Sequence, residues 1–388
     1  MRIGLITGEY PPDRGGVGDF TAQLGHALAD LGHQAHIITS QSPSREIPDG
    51  AADLTIHRVV QGWGWRCWGQ VIRLAKDLAL DVLDVQYQAA AYGMHPAINV
   101  VPRPQGCPPV VATFHDLKVP YLFPKAGPLR WWVVRMLARR AAVVVVTNRE
   151  DFLRLKEEID PRKLNLIPVG SNIPVSPPAG YDRDAERARW GLESDDVLLG
   201  YFGFLNQSKG GEELIRALEI VVKRGLPAHL LRIGGQVGSS DPTNRRYAER
   251  VEMLIAERGL AGRVHRTGYA SPAQVSAALL ATDVCVLPYR DGVSFRRGSL
   301  LACLAHGRAV VTTRPGVPLP EIEDRGNMVL VAPDDAEELA DAVAQVSSDP
   351  GLRTQLERGA EALAARFTWE RIARRTAAMF EGLARDGR

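Results

Sequence analysis

Apolar residues recur along the chain in two rhythms, short unbroken runs and longer stretches spaced at three and four, and these alternate. Residues 2–7 are mostly apolar, as a buried strand requires. A loop with Gly15 and Gly16 follows, and Phe20, Leu24, Leu28 and Leu31 then line one helical face that ends near Gly32. The next run, Ala35 to Thr39, completes a strand, helix, strand unit of a doubly wound sheet. Further buried strands are predicted over 82–86, 110–114, 143–147 and 164–167.

Between Ile167 and Ala179 the prolines 168, 174, 177 and 178 exclude a helix and predict an extended connector. Beyond it the opening pattern repeats: a strand over 197–202, a glycine-containing turn from Gly203 to Gly211, and a helix bearing Leu214, Leu218, Val221 and Val222. Strands over 229–233, 284–287, 309–313 and 328–331 follow. The expected fold is therefore α/β, with two Rossmann-like domains over 1–175 and 176–367. A last helix, opened by Thr368-Trp369-Glu370 and running to about Leu383, is expected to pack back, so that 368–388 belongs with the first domain.

Length agrees with this division, since 388 residues exceed one core at about 150 residues per domain. A formal charge of +2 gives no whole-molecule field for nucleic acid, so any anion site must be local. The four cysteines, Cys67, Cys107, Cys285 and Cys303, form no CxxC pair, which argues against a zinc site or a disulfide framework and suits a reducing cytoplasm. The apolar start is too short for a signal peptide, and no stretch approaches the roughly 20 apolar residues of a membrane span.

Paired lobes of this kind are expected to set the carboxyl ends of both sheets around one cleft, where a diphosphate fits. Three loops qualify as its holders. Gly15-Gly16-Val17-Gly18 offers backbone N–H groups at a helix start, although a plain tight turn reads the same way. Ser208-Lys209-Gly210 supplies an ammonium able to neutralise a departing diphosphate, the alternative being a solvated surface lysine. Asp291 to Ser299 combines Asp291, Ser294, the pair Arg296-Arg297, Gly298 and Ser299 at a helix start, and its alternative is arginines paired structurally with carboxylates. In the first lobe, Thr113-Phe114-His115-Asp116 sets His115 at a strand end, as a sugar or acceptor contact or as a capping histidine.

Together these residues resemble the family-four retaining glycosyltransferases, group 1, of GT-B fold. The resemblance runs through Glu9-Tyr10-Pro11-Pro12 with Gly15 to Gly18, Thr113 to Asp116, Ile167 to Gly170, Phe202 to Leu205 with Ser208 to Gly210, Gly268-Tyr269, His306 to Thr313, Glu321 and Phe367-Thr368-Trp369. It implies that Gly16 contacts donor phosphate, Lys209 the diphosphate, Tyr269 the region of the base, and His115 the sugar near the reacting carbon. On that footing Gly15, Gly235, Asp291, Ser294, Arg296, Arg297, Gly298 and Ser299 complete the donor site, with His115, Lys209 and Arg297 catalytic. Tyr10, Asp19 and Asp116 fall to the acceptor. The resemblance further implies a nucleotide-diphosphate-sugar as donor substrate, a front-face substitution with retained configuration, a hexosyltransferase-like activity, and no metal or other cofactor.

Two departures stand out. Phe204 occupies the place of the arginine usual in the family, and the usual pair of glutamates is missing whether Asp291 and Ser299 or Ser294 and Ala302 fill those slots. The pair Arg296-Arg297 is expected to compensate. Asp182-Arg183-Asp184 has the spacing of metal-using transferases but sits beside the connector instead of at a strand end.

The acceptor is not identified by the sequence. Trp63, Trp65 and Trp68, and the run Arg130-Trp131-Trp132 with Arg135, Arg139 and Arg140, suit either a helix burying its tryptophans or a peripheral contact at the inner membrane face. A sugar-nucleotide-binding protein with weak or no transfer, or an epimerase on the same scaffold, are the competing functions; an epimerase needs a carboxylate or other acid/base group well placed at the cleft, and the third loop supplies mainly arginines.

Overall fold

The computed structural model describes residues 1–13, 15–41, 53–102, 106–117, 127, 129–235 and 242–386. The chain divides into two compact units, Met1–Asn172 joined by the stretch from Thr368, and Ile173–Phe367.

The first unit contains β1 (Arg2–Ile6), α1 (Gly16–Asp30), β2 (Gln34–Ser40), β3 (Leu54–Val60), α2 (Cys67–Asp77), β4 (Val82–Tyr87), β5 (Val110–Phe114), α3 (Leu129–Arg140), β6 (Val143–Val146), α4 (Arg149–Lys156) and β7 (Leu164–Leu166). Its parallel sheet has the order β3-β2-β1-β4-β5-β6-β7. β4 and β5 are buried along their whole length and β1 along all but its first residue, which is why apolar residues dominate their sequences, although β4 also carries the buried polar Asp84 and Gln86. β3, an edge strand half open to solvent, has a mixed pattern and escapes the periodicity reading.

In the second unit, α5 (Arg183–Ala188), β8 (Val197–Phe202), α6 (Gly211–Lys223), β9 (Ala228–Ile233), α7 (Pro242–Glu257), β10 (Val264–Arg266), α8 (Pro272–Ala281), β11 (Val284–Leu287), α9 (Gly298–Ala305), β12 (Ala309–Thr313), β13 (Val329–Val331), α10 (Ala336–Ser348) and α11 (Pro350–Ala364) repeat the plan. The strand order is β10-β9-β8-β11-β12-β13, again parallel. β10, a three-residue edge strand, has two polar residues, His265 and Arg266, and gives no apolar run.

The last helix, α12 (Trp369–Asp386), returns to the first unit and packs on α1. Ile372, Ala373 and Phe380 enter the core beside Leu24, Leu28 and Ile3. Burying each of the larger two is worth about 1.5–3 kcal/mol. Trp369 donates from Nε1 to the Ser171 carbonyl at 2.7 Å and lies flat where a Cβ on Gly170 would sit 2.7 Å from its ring. That contact explains the glycine of the Ile167 to Gly170 motif.

Candidate active site

In each sheet the strand order reverses beside the first strand, between β1 and β4 and between β8 and β11, so the crevice at the carboxyl ends of those strands is the ligand position in an open α/β sheet. The predicted loops fall there.

In the second unit, Phe202 ends β8 and Gly203 turns the chain at φ +127°; a Cβ there would come within 2.8 Å of Lys209 Nζ. One 3₁₀ turn, Gln207–Lys209, leads to Gly210 at φ +66°, where a Cβ would meet the Pro288 carbonyl oxygen at 1.9 Å. Only glycine lets the turn lie across the end of β11. The Arg290 N–H donates to the Ser208 carbonyl at 3.0 Å, tying the two loops together.

Lys209 is thereby brought close to Arg297. Burial, and next the Arg297 charge, lower its ammonium to about 8. Among the described residues no hydrogen-bond or ion-pair partner of the Lys209 ammonium is found, its backbone N–H donating to the Asn206 carbonyl. The Arg297 guanidinium lies 4.7 Å over the Tyr289 ring, and its Nε is buried without a partner. The Tyr289 hydroxyl and Ser299 Oγ are 2.7 Å apart.

Asp291 departs from its expected role. Its carboxylate pairs with Arg297 and, at 2.9 Å, with Arg296, so it holds the guanidiniums in place instead of standing open to a donor. The alternative of structurally paired arginines is thus partly realised, although Arg297 also stands close to the Lys209 ammonium. Ser294 accepts from the Arg296 N–H at 3.4 Å and shapes this turn. Gly298, with open space where a Cβ would be, begins α9. Ala302, from the other possible register, is buried. Phe204, in the place of the usual arginine, is half exposed, and its ring lies 3.5 Å from where a Cβ on Gly235 would sit.

An antiparallel bridge joins Gly234 to Gly268, the neighbours of Gly235 and Tyr269, and Tyr269 is 84% exposed. Tyr269 borders a cavity of about 270 Å³ with Tyr181 and Trp190, whose Oη and Nε1 are buried without partners. Asp182 caps α5 through the Ala185 N–H and Arg183 pairs with Asp283, so this segment is occupied structurally.

The first unit modifies the reading of its glycine loop. The Glu9 carboxylate accepts from the N–H groups of Val17 (3.2 Å) and Gly18 (3.4 Å), and a Cβ on Gly15 would collide with it. The start of α1 is therefore capped from within, and Gly15 makes room for Glu9. Gly16 has open space around it. Burial raises the Glu9 carboxyl.

Tyr10 needs correction as an acceptor residue: it is 1% exposed and belongs to the core, with Arg58 over its ring. Asp19 is exposed on the first turn of α1, and Asp116 is half-buried. His115 packs edge-on against Phe20 at 4.6 Å, and Phe20 in turn against Trp369 at 5.2 Å. Its Nε2 is 2.9 Å from Gln86 Oε1, and burial pushes the imidazole down to about 3, so it stays neutral.

Of the tryptophans, Trp63 and Trp68 are buried, while Trp65 and Trp132 are exposed. Arg135 pairs with Glu158 and Arg140 donates to the Val101 carbonyl; the Arg130 side chain lies outside the described residues. No helix among the described residues is long and apolar enough to cross a membrane.

Glu9, Asp84, Gln86 and Tyr289 escape sequence reasoning. Tyr289 follows a strand that is readable, but an aromatic there reads as core. Nothing in the sequence pairs Glu9 with a helix start eight residues on.

Residues 14–173 match the family described as Glycosyltransferase Family 4, and residues 196–349 the family described as Glycosyl transferases group 1. The chain is similar to the alpha-D-kanosaminyltransferase of Streptomyces kanamyceticus, 28% identical over 61% of this chain and 59% of that protein. It also matches the D-inositol 3-phosphate glycosyltransferase of Saccharomonospora viridis, 32% identical over 52% and 48%. The match thus spans somewhat over half of the first of these curated relatives and about half of the second. In fold it resembles Anabaena Alr3699/HepE, solved in complex with UDP (TM-score 0.76, 18% identity, 98% of this chain and 100% of that one). It likewise resembles the sucrose-phosphate synthase of Thermosynechococcus elongatus (TM-score 0.74, 22% identity, 99% of each chain). Two family models in tandem, each over one parallel-sheet unit, make this chain a member of the group 1, family-four glycosyltransferases of GT-B fold.

Proposed function

We propose that the chain transfers a sugar, with retained configuration, from a nucleotide-diphosphate-sugar to an acceptor held by its first unit. The observation that carries this is the partnerless Lys209 ammonium beside Arg297 at the switch point of the second sheet. Two cations held close in a half-buried turn repel, and an anion relieves both. A diphosphate matches that charge, and its negative charge grows as the bond to the sugar breaks, so these cations act most strongly on the transition state. In this reading side-chain cations carry the load that a divalent ion carries elsewhere, and Arg297, fixed by Asp291 and Tyr289, compensates for Phe204. The Gly16 edge completes the phosphate contacts, Tyr269 and Gly235 lie by the base, and His115 hydrogen-bonds the transferred sugar. Asp116 and Asp19 serve the acceptor. UDP in the Anabaena neighbour supports a uridine donor as the first to test.

Titration of the full chain with uridine, guanosine and adenosine diphosphates and their sugars tests this. One base should bind, and Lys209→Met should weaken it by about 10- to 100-fold, the worth of a charge-assisted contact. Failure of all three to bind, or wild-type affinity in both Lys209→Met and Arg297→Met, overturns it. Binding without transfer to any acceptor in a panel would favour a sugar-nucleotide-binding protein, which the tied Ser299 and exposed Phe204 support.

A further inference from the structure

β4 and β5 lie side by side with Gln86 opposite Thr113. One residue beyond β5 stands His115, and two before Gln86 stands Asp84, which is fully buried. Among the described residues no cation pairs with this carboxyl. It accepts instead from Thr113 Oγ1, at 2.8 Å to Oδ1 and 3.1 Å to Oδ2, and from Gln86 Nε2 at 2.7 Å to Oδ2. The other end of the same amide, Oε1, meets His115 Nε2 at 2.9 Å. The Tyr92 hydroxyl donates to the carbonyl of Ile6 or Gln86, at 2.9 and 3.0 Å, and pins the backbone of this strand.

An amide has one donating and one accepting end, so the charge at one side of Gln86 dictates the hydrogen at the other. A carboxylate at Asp84 demands the NH₂. The oxygen then faces His115, which must donate from Nε2 and keeps its lone pair on Nδ1. A proton on Asp84 Oδ2 reverses this. The acid now donates, the amide turns over to offer Oε1 to it, and Nε2–H of Gln86 faces His115 Nε2, which must accept. Protons balance: Asp84 takes one from solvent, and His115 releases one from Nε2 and takes one at Nδ1, remaining neutral.

We propose that Asp84 and Gln86 form a positioning relay that decides which nitrogen of His115 carries hydrogen, and so whether Nδ1 offers a ligand a lone pair or an N–H. Its catalytic meaning rests on the reading of His115 as the sugar-contacting group; the relay itself does not. The inference is one of arrangement: every group in it is already bonded to the next.

Burial pushes the Asp84 carboxyl up to about 7, so that both states are reachable near neutrality. Tyr92 of the following turn is the titratable group that feels the Asp84 charge, and Tyr92 in turn lies near Tyr87 of β4, Cys67 of α2 and Glu9 of the loop after β1. Tyr87, Tyr92 and Cys67 are raised by burial and stay neutral. Beyond β5 are Asp116 and Asp151 of α4, the latter raised to about 6 by burial; Asp19 stands on the first turn of α1. Asp151 is the neighbour whose titration must be separated, and substitution of Asp84 does so.

Imidazole ¹⁵N resonances of the uniformly labelled full chain, with His115 identified by its loss in His115→Gln, read the tautomer directly. The wild type should show hydrogen on Nε2 at about pH 8.5 and an exchange of the two nitrogen shifts on titration to about pH 6. Asp84→Asn and Gln86→Met should each abolish the exchange, and two variants guard against misfolding of either. Where transfer is measurable, kcat of Asp84→Asn should lose its inflection near neutrality while nucleoside diphosphate affinity, which rests chiefly on Lys209 and Arg297 of the other unit, stays put. A tautomer constant across that range in the wild type, or an exchange persisting in both variants, overturns the relay. Neither readout of the imidazole needs a donor, so absence of glycosyl transfer would sink the proposed function and leave this result standing.

Discussion

Lys209 combines two opposed pH dependences. Its ammonium is lowered to about 8 in the fold, against about 10.4 for a free lysine, so between those values the unfolded chain holds more protons. Stability contributed by this group is therefore lowest below about pH 8 and rises toward 10.4. Diphosphate affinity must move the other way, because it needs the charged form, and should fall as pH rises through about 8. Calorimetric titration across that range checks the sign, and Lys209→Arg should remove the fall. At Gly203, alanine faces a left-handed backbone and the Lys209 Nζ together. Gly203→Ala should cost about 1–3 kcal/mol in denaturant unfolding and reduce kcat/KM by more than tenfold, by moving the ammonium. The importance of Lys209 is readable in the sequence, because a lysine in a strand-to-helix turn of an arginine-rich chain is conspicuous. What Asp291 does is not: a carboxylate four residues past a strand end fits a ligand contact and an arginine clamp equally, and only its contacts with Arg296 and Arg297 separate them.

Elements were legible where burial made them uniform. β5, β8 and β11 are buried and show as mainly apolar runs, and β4 does so despite its buried Asp84 and Gln86. β3 and β10 do not, because both are edge strands, where polar residues such as His57, Arg58, His265 and Arg266 are admitted. The join between Gly170 and α12 gives an element-scale test. Gly170→Ala would drive a methyl into the Trp369 ring, and that ring supports Phe20, which supports His115. Overpacking of this kind costs about 1–3 kcal/mol. The melting temperature should drop, nucleoside diphosphate affinity should largely hold because the cations that carry it, Lys209 and Arg297, are in the other unit, and kcat should fall with the loosened histidine. Unchanged melting would show that α12 yields freely at this point.

For the molecule as a whole, two units with separate cores need not melt together. A chain ending at Phe367 lacks α12 and so exposes the groove that receives Ile372 and Phe380, at a loss of about 3–6 kcal/mol of apolar burial. We expect the first unit to become protease-sensitive, while a resistant fragment near 173–367 survives and still binds a nucleoside diphosphate; equal digestion of both units would refute the division. That the final helix belongs to the opening unit bears on synthesis. On the ribosome the later-made unit is contiguous and can close as soon as its strands emerge, whereas the one begun first must wait, its groove uncovered, until α12 leaves the exit tunnel. The order of birth and the order of maturation are thus reversed, and nascent chains should lean on chaperones longest at their amino-terminal half.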